Sequence, residues 1–141
     1  MANAIECATG EKIWELYEEM CVADEQKDYE KALELTLEMW ELLPEEKLIY
    51  AESWVVVSTI LELAIEYGDK ETMQQWIDKI DHVTLESYHS GERECYKGKV
   101  AYELGDYDAA REYLSYANKK SRGRCFGDKD KKYIEFLVEK K

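Results

Sequence analysis

Apolar residues recur at three- and four-residue intervals along most of this chain. In "IWELYEEM", Ile13, Leu16, Tyr17 and Met20 share one helical face. Tyr29, Ala32, Leu33, Thr36, Trp40 and Leu43 do the same in the next stretch. That second helix is expected to stop at Pro44, because proline offers no amide proton and restricts the residue before it. Residues 47–67 form the most apolar segment. Trp54, Val57, Ile60, Leu61 and Ala64 make one stripe there, and Val55, Val56 and Ile65 widen it, which predicts a central helix. The β-branched "VVVSTI" taken alone reads as strand, but its continuation through "LELAIEY" favours helix. A shorter helix carries Met73, Trp76, Ile77 and Ile80. "DHVTLES" reads as an irregular link, and a fifth helix starts between Glu86 and Glu92 and runs to Leu104. Tyr107, Ala110, Tyr113, Leu114 and Ala117 mark the sixth. After the loop "SRGRCFGD", Tyr133, Ile134, Phe136 and Leu137 mark a short seventh.

The breaks between these helices share one device. In "AYELGDYDAAREYLSYA", two apolar stripes are separated only by Gly105-Asp106. Glycine takes the left-handed position that ends one helix, and aspartate caps the next. Gly68-Asp69 repeats the pair, and Lys27-Asp28 occupies the equivalent place earlier. The three turns are 41 and 37 residues apart, so the chain reads as three antiparallel helical hairpins of degenerate repeat length. A single proline and seven glycines leave little else to interrupt an all-α array.

Charge changes the picture along the chain. Of 141 residues, 36% are charged, and the net charge is −13. Residues 1–118 hold 28 acids and 10 bases, a net of −18; residues 119–141 hold 4 acids and 9 bases, a net of +5. An acidic body repels phosphate, so nucleic-acid binding by it is not expected, while basic partners are attracted. The basic tail suits contact with nucleic acid or a membrane surface; the competing and favoured reading is a solvated helix end or one docked on the acidic body. No apolar run reaches the length of a membrane span, and the start lacks the basic-then-apolar pattern of a signal peptide. Cysteines at 7, 21, 95 and 125 show no close pairing, which suits free thiols and a cytoplasmic setting. The whole chain, 1–141, is expected to be one domain.

The third hairpin resembles a tetratricopeptide (TPR) repeat through Gly98, Gly105, Tyr107, Ala110, Leu114 and Ala117. The first resembles it through Tyr29, Ala32 and Pro44; in the second, Ala64, Gly68, Ile77 and Ile80 fit, while Lys70 and Met73 depart from the pattern. The resemblance implies an all-α, TPR-like array over about residues 10–122, with small residues where helices cross, and a capping helix at 128–140. It also implies a groove lined by the first helix of each hairpin. The positions carried across are Trp14, Tyr17 and Cys21, then Val55, Ser58 and Glu62, then Cys95, Lys99 and Tyr102. Asp24, Glu25, Glu66 and Glu103 would form an acidic rim. Core packing is the competing reading for the aromatics, above all Trp40, Trp54 and Trp76. The ending "GRCFGDKDKKYIEFL" resembles the tail of some TPR-like bacterial proteins that serve as immunity proteins to secreted toxins, through Gly123, Arg124, Phe126, Asp130, Tyr133 and Phe136–Leu137. The same residues suit a plain capping helix.

Candidate chemistry is sparse. His82, His89 and Cys95 lack the closely spaced ligand pairs of a structural zinc site, so no metal is expected. Cys125 lies among Arg122, Arg124 and Lys129, whose charge favours a thiolate, but no base or orienting group is identifiable beside it. Cys7, Cys21 and Cys95 read as small core residues. The carboxylates lie on outward helix faces, and no phosphate-cradling loop is present. The expectation is a non-catalytic module without cofactor or metal that binds a basic protein or peptide, a bacterial toxin in the sharper form. The alternatives are a self-associating scaffold or a helical-bundle enzyme or small-ligand binder.

Overall fold

The structure, a computed structural model, describes residues 7–44, 47, 50–83 and 91–138. Among them the chain is all-α: α1 (Cys7–Glu25), α2 (Tyr29–Leu42), α3 (Ala51–Tyr67), α4 (Lys70–Trp76), α5 (Glu92–Glu103), α6 (Tyr107–Ser121) and α7 (Lys131–Val138). Short 3₁₀ turns cover Ile77–Asp81 and Asp128–Asp130. Neighbouring helices pack in pairs, α1 with α2, α3 with α4 and α5 with α6.

All three predicted hairpin turns have one geometry. Lys27, Gly68 and Gly105 take positive φ, at 60°, 75° and 88°. The amides of Asp28, Asp69 and Asp106 then bond back to the carbonyls of Ala23, Ala64 and Ala101 at 2.8–2.9 Å, closing the preceding helix. Each aspartate carboxylate accepts from an amide three residues on, in Lys31, Thr72 and Ala109. Lys27 adopts the left-handed conformation despite its Cβ, a modest strain that glycine avoids at the other two turns.

Two compact units divide the chain, Met1–Glu86 and Ser87–Lys141. In the first, Ile13, Leu16, Met39, Leu43, Val56 and Ile60 form one cluster, flanked by Trp40 and Trp76, whose rings meet edge to face at 5.1 Å. Met20, Ala23, Ala32 and Leu63 form another. The α2 stripe is wider than its periodicity suggests, because Met39 is fully buried too. α3 buries Val56, Val57, Ile60, Leu61, Leu63 and Ala64, as a central helix should. The next helix departs from expectation: it is α-helical only to Trp76 and then tightens to 3₁₀. Three residues per turn sets Ile80 over Ile77, and Ile80 and Val83, just past the turn, are fully buried.

In the second unit, α5 and α6 cross at Gly98 and Leu114. A Cβ at Gly98 would lie 2.5 Å from Leu114 Cγ, so the close approach requires glycine. α7 starts at Lys131, after a 3₁₀ turn at the place the capping helix was expected to begin; residues 139–141 lie outside the described residues. Tyr133 and Phe136 are buried, and both meet the ring of Tyr102 edge-on at 5.1–5.2 Å. The Arg111 guanidinium lies over the Phe136 ring at 4.3 Å.

Candidate protein-binding surface

α1 turns its core stripe inward and leaves a second, partly apolar face outward. Trp14 is 45% exposed and Val22 is 52% exposed. Trp14 is therefore no core residue, and its ring meets Tyr17 edge-on at 5.5 Å. Tyr17 and Cys21 are half-buried against the clusters below. Burial raises the Tyr17 phenol pKa, with further contributions from Cys21 and from Glu62 on α3. The α1 positions and Glu62 thus share one neighbourhood. Glu62 is exposed and Val55 half-buried, whereas Ser58 is buried and its hydroxyl donates to the Val55 carbonyl at 3.2 Å.

The hairpin ends of this unit are tied by tyrosines and acids. Tyr67 donates to Asp24 Oδ1 at 3.0 Å, and Tyr29 donates to Asp69 Oδ2 at 2.7 Å. The two rings lie 4.8 Å apart. Both phenols are pushed up to about 12, first by desolvation and then by the carboxylate each one meets. Asp69, which also accepts from the Thr72 amide and hydroxyl, is held below the usual carboxylate range by the Thr72 and Tyr29 bonds. Of the rim acids here, Asp24 is engaged by Tyr67, Glu66 lies 3.5 Å from Lys27, and Glu25 is exposed.

A shallow depression of about 440 Å³ lies between α1 and α2. Leu16, Leu37 and Leu42 supply its apolar part; Lys12, Glu34, Glu38 and Glu41 surround them. Sequence reasoning missed this place because it followed the core stripe of α2. The available signal was Leu37, apolar, off that stripe, and flanked by glutamates one turn apart.

The third hairpin presents its carried-over positions differently. Cys95 and Lys99 are buried beneath the chain's own C-terminal segment instead of facing an open groove. Lys99 Nζ lies 2.8 Å from Asp130 Oδ2, and a buried ammonium needs such a partner. Tyr102 packs on Tyr133 and Phe136 of α7. Glu103, expected at the rim, accepts from the Tyr133 hydroxyl at 2.7 Å and pairs with Lys132. Burial, then the Glu103 bond, raises the Tyr133 pKa. The TPR resemblance put these positions in a groove; nothing in it named α7 as the occupant.

His82 is exposed just after the 3₁₀ turn, while His89 and the Cys7 side chain lie outside the described residues. Cys21 is half-buried instead of a full core residue. No described helix is long and apolar enough to cross a membrane. Compared with family models, curated proteins and solved structures, the chain gives no match.

Proposed function

We propose that this chain is a TPR-like, non-catalytic module whose acidic first unit binds a basic protein or peptide. One observation carries the reading. Residues 1–86 hold 22 acids against 6 bases, a net of −16, around apolar side chains left in solvent, Trp14, Val22 and Leu37. Exposed aromatic and aliphatic anchors bury area on binding, and the surrounding carboxylates select cations and speed encounter. The contacts follow from that arrangement: Trp14, Tyr17 and Cys21 on α1, with Val55 and Glu62 on α3, and the depression beside Leu37. In its sharper form the partner is a basic bacterial toxin and the chain its cytoplasmic immunity protein; an acidic inhibitor mimics the charge of a nucleic-acid substrate.

The test is capture of a partner from the native source on the immobilised chain, followed by affinity measured against salt. A basic partner whose binding weakens as ionic strength rises supports the proposal. Trp14→Ala should weaken that binding while leaving the melting temperature nearly unchanged, since the side chain is half in water. Salt-insensitive binding would rule out the charge mechanism, and capture of only a second copy of this chain would favour a scaffold.

A further inference from the structure

The second unit brings together two cysteines that lie thirty residues apart in sequence. Cys95 sits in α5, buried. Cys125 sits half-buried in the connection between α6 and α7. The Cys95 thiol donates to the Cys125 carbonyl oxygen at 3.6 Å, which sets the two cysteines side by side. The Cys125 amide donates to Ser121 Oγ at 3.1 Å, which fixes the backbone that presents this sulfur. Lys99, one turn along α5 from Cys95, pairs with Asp130 at 2.8 Å, and its charge favours the thiolate form at both sulfurs.

We propose that Cys125 and Cys95 form a peroxide-responsive thiol pair, with Cys125 the attacking thiol and Cys95 the one that resolves it into an intramolecular disulfide. The assignment of roles follows from position. Cys125 is the more accessible sulfur, and Cys95, Ser121 and Lys99 around it hold its thiol below the ordinary pKa. Cys95 is buried and holds its proton, donating it toward Cys125. A thiolate beside a cation, with a second thiol in reach, is the arrangement that reversible thiol oxidation uses.

The chemistry balances with a hydroperoxide as oxidant. The Cys125 thiolate attacks the terminal peroxide oxygen; the O–O bond breaks, hydroxide or alkoxide leaves, and Cys125 becomes a sulfenic acid. Cys95 sulfur then attacks the Cys125 sulfur. The S–S bond forms, the S–O bond breaks, and the Cys95 proton leaves with the departing hydroxyl as water. Two thiols have lost two electrons, and one peroxide has been reduced to water and an alcohol, or to two waters. The bond would tie the α6–α7 connection covalently to α5, at the segment that carries Asp130 and leads into Tyr133 and Phe136.

The experiment uses the reduced full chain. It is treated with hydrogen peroxide, quenched, alkylated with N-ethylmaleimide, digested without reductant and mapped by mass. The expected product is a Cys95–Cys125 linked peptide, lighter by two hydrogens and released by dithiothreitol, with Cys21 alkylated and the chain still monomeric on a non-reducing gel. Cys95→Ser should leave Cys125 as a sulfenic acid that dimedone traps. Links to other cysteines, links between chains, or Cys125 carried to sulfinic acid with Cys95 still a free thiol would each overturn the proposal. The wild-type map decides the matter even if Cys95→Ser fails to fold.

Discussion

Gly98→Ala should destabilise the protein, although the same change in an open helix position would stabilise it. Two effects compete. Alanine is the better helix former by about 0.5–1 kcal/mol. Against that, the new Cβ would stand 2.5 Å from Leu114 Cγ, 2.7 Å from Cδ2 and 3.0 Å from the Leu114 amide nitrogen. Cγ is the branch point of its side chain, and the amide belongs to α6 itself. Leu114 is wholly buried, so it has no free space to rotate into. The helices must part, and such overpacking costs about 1–3 kcal/mol. The clash wins, for a net loss of about 1–2 kcal/mol. Gly10→Ala is the control, because a Cβ there meets nothing within 4 Å and α1 should gain by about 0.5–1 kcal/mol. Urea unfolding followed by far-ultraviolet circular dichroism reads both. If Gly98→Ala stabilised the chain as Gly10→Ala does, α5 and α6 would not cross where the side chains say they do.

Three further outcomes follow from side chains already placed. Phe136→Ala removes a buried ring packed on Tyr102, Tyr107 and Arg111, and should cost about 3 kcal/mol or more in the same unfolding assay; an unchanged curve would mean that α7 is undocked in solution. Tyr133→Phe keeps the ring but leaves Glu103 without its phenol donor, so a smaller loss, about 1 kcal/mol, is expected. Asp69→Asn tests linkage: the native carboxyl pKa is depressed, so its stabilisation is complete above the unfolded value, about 4, and fades as pH falls through the lower native value. The variant should be the less stable one at neutral pH, and its gap to wild type should close in acid; a gap that widened in acid would contradict the depressed pKa.

The sequence carried what is local and repeated. The three turns were legible because a left-handed residue followed by a capping aspartate is a backbone requirement that few residue pairs meet. Gly98 and Leu114 were legible through the TPR resemblance, which implies small residues where paired helices cross. Three features were not legible, for a common reason. Helical periodicity tells which face of a helix is covered, but not by what. Lys99 reads as a solvated or groove-facing charge until Asp130, thirty-one residues later, is folded onto it. Cys95 and Cys125 look unpaired for the same reason. The 3₁₀ turn at Ile77–Asp81 keeps an apolar spacing of three that an α-helix also satisfies, so the pattern does not separate the two.

The outer face of α2 holds the clearest conflict between folding and the proposed role. Glu30, Glu34, Glu38 and Glu41 follow one another at intervals of four, four and three, all exposed. Like charges so spaced destabilise a helix by about 0.2–0.5 kcal/mol per pair. Only Lys31, three residues before Glu34, opposes them within the helix. A chain selected for stability alone would break that file with a lysine. Glu34→Gln together with Glu38→Gln relieves every like-charge pair in it at the loss of one attraction, for a gain of about 0.5 kcal/mol. The variant should therefore be slightly more stable in low salt, equal to wild type in high salt, and weaker in binding its basic partner. Stability that falls on substitution would show that these acids are satisfied by cations of the chain itself. Binding that is unchanged would show that the file serves solubility and that recognition lies elsewhere, with the aromatic pair on α1.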